Sequence, residues 1–204
     1  MGSNGYKYLM NQINATGRER LDGYYPRIME EIYEWERDEV EDIIWDGFNN
    51  KQDTDLAMFF PKLKKYDGIT ALKNFLSTCN IPSGNSLNVA KVLLDETNDV
   101  RYLEIFKENL KDQNSTYRLR ITSMLSRCKP MPEIYELLKK IYISDPDKYV
   151  RSTASSTLLY YKGYRKDPTD IKETMKNLDL ERKFMLDNEE DRKKIIEKLE
   201  KGEL

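Results

Sequence analysis

Histidine is absent from all 204 positions of the chain. Imidazole is the usual general base near neutral pH and the usual activator of a serine or cysteine nucleophile. Its absence excludes Ser-His-Asp and Cys-His mechanisms, and HExxH metal sites, within this chain. Neither GxGxxG nor GxxxxGK[ST] occurs, so the two common phosphate-cradling loops are missing. Cysteine is limited to Cys79 and Cys128, outside any CxxC or metal-ligand spacing. That is the usage of a reduced, cytoplasmic protein rather than a disulfide-stapled secreted one. No apolar run approaches the length of a membrane span, and the first residues carry no apolar leader core, so no membrane partner is expected. Glycine numbers 9 and proline 7, too few for the punctuation a strand-rich fold needs.

What is present is helical periodicity. In "DKYVRSTASSTLLYYKG" (147–163), Val150, Ala154, Leu158 and Tyr161 recur at spacings of 4, 4 and 3, one face of a helix. Ser144 or Asp145 is placed to cap it, Pro146 suits its first turn and Gly163 its end. The preceding "MPEIYELLKKIYISD" carries a second stripe, Ile134, Leu138 and Ile141, so the two make a helix hairpin. Moving back 33 positions from Val150, Arg151, Ala154 and Leu158 reaches Tyr117, Arg118, Ile121 and Leu125; a further 31 reaches Ser86, Leu87, Ala90 and Leu94. The other helix recurs 37 residues on as Ile171, Met175 and Leu178, and Ile28, Ile32 and Trp35 repeat its spacing near the start. Helix pairs are therefore expected at about 24–50, 67–97, 100–128, 131–163 and 168–200, with a short helix in "TDLAMFFPKLKK" between the first two. Self-similarity at this period is the mark of a helical solenoid.

A helix reading apolar-Arg-x-x-Ala-x-x-x-Leu after a capped Asp turn and an outer amphipathic helix resembles the HEAT-type repeats. "DKYVRSTASSTLLYY" is the best copy and "STYRLRITSML" a weaker one, while spacing leaves armadillo-like or tetratricopeptide-like pairs open. The resemblance implies an all-α, right-handed α-α superhelix of about five helix pairs. It divides the chain into an N-terminal extension (1–23), a repeat domain (24–180) and a charged C-terminal capping helix (181–204).

Charge is segregated. Residues 1–60 carry a net −7, residues 61–166 a net +8 and residues 167–204 a net −3, against −2 overall. Such a distribution orients charged partners. The acidic part is concentrated in "MEEIYEWERDEVEDIIWDGF", where Ile28, Ile32, Trp35, Val40, Ile43 and Ile44 are expected inside. Glu34, Asp38, Glu41 and Asp42 then form an outer carboxylate face, with Tyr33 and Trp45 as aromatic anchors for a partner. These carboxylates lack the glycine and alternation of a calcium loop, so no metal is assigned. In the basic middle, Arg118, Arg120, Arg127 and Arg151 fall on the second helices of successive hairpins. They read either as ties between repeats or as a basic groove.

No catalytic residue and no cofactor is assigned. The expectation is a non-catalytic, monomeric protein-binding scaffold. Some bacterial proteins similar to this type are immunity proteins that neutralise a toxin, and an acidic face suits occlusion of a basic toxin domain by replacing phosphates with carboxylates. The alternative is a HEAT-like DNA glycosylase or another nucleic-acid-binding solenoid using the basic middle, although both tryptophans lie in the acidic part.

Overall fold

The computed structural model describes residues 2–204, apart from the side chains of Arg20, Leu21, Asp22 and Thr174. The protein is all-helical, with no strand among the described residues. It divides into two compact units, Met1–Asp99 and Val100–Leu204.

In the first unit, Ser3 caps α1 (Asn4–Ile13) by accepting the Tyr6 N–H on its Oγ at 3.1 Å. Helix α1 packs against α2 (Ile28–Glu31), with Gly5 against the α2 backbone. A Cβ there would lie 2.5 Å from the Ile28 carbonyl oxygen. There follow α3 (Arg37–Asn49), a 3-10 segment (Thr54–Lys62), α4 (Gly68–Thr78) and α5 (Gly84–Thr97). The 3-10 segment packs on α3, α4 and α5 and delivers Leu56, Phe59 and Phe60 to a core with Ile44, Phe48, Leu72 and Leu87. Phe48 bridges this core, with ring centroids 4.4 Å from Phe60 and 5.1 Å from Phe75.

The helix pair expected over 24–50 is absent in that form. Ile32 is extended (φ −85°, ψ 151°), and only one 3-10 turn, Glu34–Glu36, separates it from α3. The cause is local. The Glu36 carboxylate turns inward and accepts the N–H groups of Ser3 (2.8 Å) and Tyr33 (2.9 Å), a capping arrangement that starts a new helix instead of continuing the old one.

The second unit contains a 3-10 turn (Val100–Tyr102), α6 (Leu103–Asn109), α7 (Ser115–Leu125), α8 (Pro132–Ser144), α9 (Lys148–Tyr161), α10 (Ile171–Lys176), α11 (Leu178–Lys183) and α12 (Glu189–Lys201). Helices α8 and α9 pack along each other across a joint of residues 145–147, which a short connection permits only for antiparallel neighbours. Val150, Ala154 and Leu158 are fully buried, as their spacing predicts. The cap of α9 is Asp147, not Ser144 or Asp145; it accepts the N–H groups of Tyr149 (2.8 Å) and Val150 (3.2 Å), so Pro146 precedes the cap. Helix α7 packs beside α9, and α12 beside α8.

One further expectation changes. Ile171 and Met175, placed in a buried stripe by spacing, are each 74% exposed, because the helix stops after six residues at Lys176. The tail, in contrast, is docked: Ile196 and Leu199 are buried and Glu200 accepts from Lys139 Nζ at 2.6 Å.

Candidate functional site

The start of α3 divides its carboxylates into two groups. Glu36 and Glu41 point inward. Glu41 is fully buried and accepts the backbone N–H groups of Lys64 (2.9 Å) and Lys65 (2.7 Å), with Arg37 Nη1 at 3.2 Å. It fastens the loop after the 3-10 segment to α3 and has no face left for a partner, which corrects the expectation placed on it. Glu34 and Asp38 are exposed; Glu34 meets Arg37 and Lys64 only at 3.7 and 3.6 Å, distances at which an exposed pair contributes little. Asp42 is intermediate in role. It bonds Lys65 Nζ at 2.5 Å and the Tyr66 hydroxyl, and these contacts, Lys65 foremost, hold its carboxyl below the ordinary carboxylate value.

The two tryptophans exchange the places expected of them. Trp45 is stacked with two rings, its own ring 4.2 Å from Tyr66 and 5.6 Å from Phe60, both nearly parallel to it. Stacked on two rings and only partly exposed, it serves the packing of the first unit rather than standing open as an anchor. Trp35, expected inside, is 71% exposed and stacks at 5.8 Å on Tyr33, itself 52% exposed. Periodicity missed Trp35 because it assumed an unbroken helix through Ile32. The one sequence signal that favoured exposure was its position between Glu34 and Glu36. The site that results is an open aromatic pair, Tyr33 and Trp35, with Glu34 and Asp38 as its unburied carboxylates.

The arginines behave differently from one another. Arg118 and Arg151 are buried, and Arg120 and Arg127 are exposed, with no ion pair among the described residues. Arg118 Nη1 donates to the carbonyls of Asp112 (2.9 Å) and Gln113 (3.0 Å). Arg151 Nη1 does the same to Asp145 (2.9 Å) and Pro146 (2.8 Å), and Arg192 Nη1 to Leu186 (3.1 Å) and Asp187 (2.7 Å). In each case the arginine stands four residues after a helix cap, Asn114, Asp147 or Asn188, and ties down the turn ahead of its own helix. The third copy, Arg192, lies outside the spacing rule because the distance from Arg151 stretches to 41 residues. Arg118 also crosses to the next turn, clasping the Asp145 carboxylate, and Arg192 Nε reaches the Ile143 carbonyl at 2.7 Å.

Among the described residues no cluster of three or more cysteine, aspartate or glutamate side chains is arranged to hold a metal ion. No helix of the described residues is long and apolar enough to cross a membrane. Compared with protein-family models, with curated proteins and with solved structures, the chain finds no match.

Proposed function

We propose that the protein is a non-catalytic, helical-repeat binding protein that grips a positively charged protein surface through Tyr33 and Trp35 and the carboxylates of Glu34 and Asp38. The observation that carries this reading is the exposure of Trp35, stacked on Tyr33 rather than folded into the adjacent core. An exposed tryptophan over a tyrosine offers a large rigid contact at low entropic cost, the kind of residue that dominates interface energetics. Its ring face attracts a lysine or arginine, and neighbouring carboxylates reinforce that preference and accelerate encounter. The net −7 of residues 1–60 adds a longer-range field of the same sign.

The repeat architecture is part of the proposal. The thrice-repeated arginine device and the side-by-side packing of α7 with α9 and α8 with α12 support stacked HEAT-like pairs in the second unit. A toxin domain with a basic substrate cleft is the partner this chemistry fits best, since carboxylates there take the place of phosphates.

Copurification from the native host tests the proposal. Wild-type protein retains a basic partner that E34K/D38K releases. Retention of the same partner by both would overturn it, and submicromolar binding of duplex DNA with a steep salt dependence would favour the nucleic-acid alternative instead.

A further inference from the structure

The three repeated arginines use one half of the guanidinium identically and differ in the other half. In Arg118 the outer edge is closed: Nε donates to Asp145 Oδ2 at 2.8 Å and Nη2 to Oδ1 at 3.0 Å, the two-point geometry of a planar carboxylate. In Arg192 Nε is closed by a carbonyl. In Arg151 the outer edge is open. Among the described residues neither Nε nor Nη2 has a hydrogen-bond partner, and the nearest carboxylate oxygen, on the fully exposed Asp187, stands 3.9 Å from Nη2.

Arg151 itself is only 9% exposed, and it forms part of the wall of a cleft of about 250 Å³. The cleft combines apolar walls from Phe184, Met185 and Leu186 with Tyr149 at the side and Lys148 as a second cation. Glu181 also borders it, but its carboxylate is spent on Arg165 and on the Ser156 hydroxyl at 3.2 Å. The cleft is smaller than the roughly 300–1,000 Å³ of sites for drug-sized molecules, so its occupant is small.

We propose that this cleft binds a small amphiphilic carboxylate, its head held two-point by Arg151 Nε and Nη2 and its apolar body lying against Phe184, Met185 and Leu186. The internal precedent is Asp145 on Arg118: the same arginine, at the same place after a helix cap, takes a carboxylate there from the chain itself. The site is separate from the Tyr33–Trp35 surface and stands whether or not that surface binds a protein.

The test is an NMR titration of the isotopically labelled full chain with octanoate, acetate and octan-1-ol. The expected result is saturable octanoate binding in the millimolar range or tighter, with shifts confined to the amides of 148–155 and 181–187. Acetate and octanol should bind at least about tenfold more weakly, one lacking the apolar body and the other the charged head. Arg151→Lys keeps the charge but loses the fork, and weakens octanoate about tenfold or more. Asp187→Ala, at an exposed position that leaves the fold intact, removes the competing carboxylate and tightens binding about two- to fivefold. If Arg151→Lys does not fold, Asp187→Ala decides. No saturable shift, shifts elsewhere in the chain, equal affinity for octanol, or an unchanged affinity in Asp187→Ala would each overturn the proposal.

Discussion

Arg118 and Asp145, 27 positions apart and both buried, form a two-point ion pair that joins the turn ahead of α7 to the turn ahead of α9. The Asp145 hydrogen bond, the largest cause, raises the pKa of the guanidinium above its ordinary value. Asp145 Oδ1 also accepts the Asp147 N–H at 2.9 Å, so one carboxylate orders the cap of α9 as well. Removing it leaves a buried cation without a counter-charge, a more costly state than never having had the pair. Asp145→Ala is expected to destabilise the protein by about 3–5 kcal/mol, read as a loss of urea midpoint by circular dichroism. Exposed Arg120→Ala should change stability by less than about 0.5 kcal/mol.

Gly5 gives the opposite of the usual helix result. Alanine in place of a helical glycine ordinarily stabilises, by up to about 1 kcal/mol in a helix interior and less in a first turn such as this one. Here the added Cβ would meet the Ile28 carbonyl oxygen at 2.5 Å and the Glu31 backbone at 3.0 Å. Gly5→Ala should therefore cost about 1–3 kcal/mol by forcing α1 away from α2. Faster hydrogen exchange of the α1 amides would register it.

Acid should release the same element. Burial drives the Glu36 carboxyl up, but the hydrogen bonds from Ser3 and Tyr33 outweigh it and leave the value below the ordinary 4.5. A carboxyl lowered in the folded state contributes stability that is fully present above 4.5 and is lost as pH falls through the folded value. Protection of the Tyr6–Leu9 amides should therefore fall as the pH drops below 4.5. Glu36→Gln should reduce that protection at neutral pH and make it insensitive to acid.

Tyr135 supplies the alkaline counterpart. Its buried hydroxyl has no hydrogen-bond partner among the described residues, and burial, the largest cause, pushes its pKa up from 10.0 to about 12. The folded state thus favours the neutral phenol, and the stability this provides is present below pH 10 and lost as pH rises toward 12. Tyr135→Phe removes the unpaired hydroxyl and should raise stability by about 1 kcal/mol at neutral pH. It should also flatten the melting temperature above pH 10.

The parts of the fold that periodicity recovers are those where one uninterrupted helix buries one stripe. Val150, Ala154 and Leu158 are of this kind, and so are Ile134 and Leu138. It fails where side chains end a helix early. The inward turn of Glu36 breaks the stripe through Ile28, Ile32 and Trp35, and six-residue α10 leaves Ile171 and Met175 outside. Charge composition located the acidic segment but could not sort its members, because an exposed Asp38 and a buried Glu41 have the same formal charge. Which is which depends on the amides of Lys64 and Lys65, more than twenty residues away along the chain. The arginine repeat was legible from Arg118 and Arg151, whereas the difference between a closed and an open fork exists only in three dimensions.

The tryptophans separate binding from stability. Trp45→Ala removes the ring stacked with Phe60 and Tyr66 and should cost about 3 kcal/mol, whereas Trp35→Ala, outside the core, should stay within about 0.5 kcal/mol of wild type. The most direct measurement is therefore the affinity of the copurified basic partner for the wild type and for Trp35→Ala at matched melting temperature. A loss of about thirtyfold or more, with further weakening as salt rises, is the predicted result. An affinity unchanged within about twofold would contradict the assignment of Tyr33 and Trp35 as the binding surface.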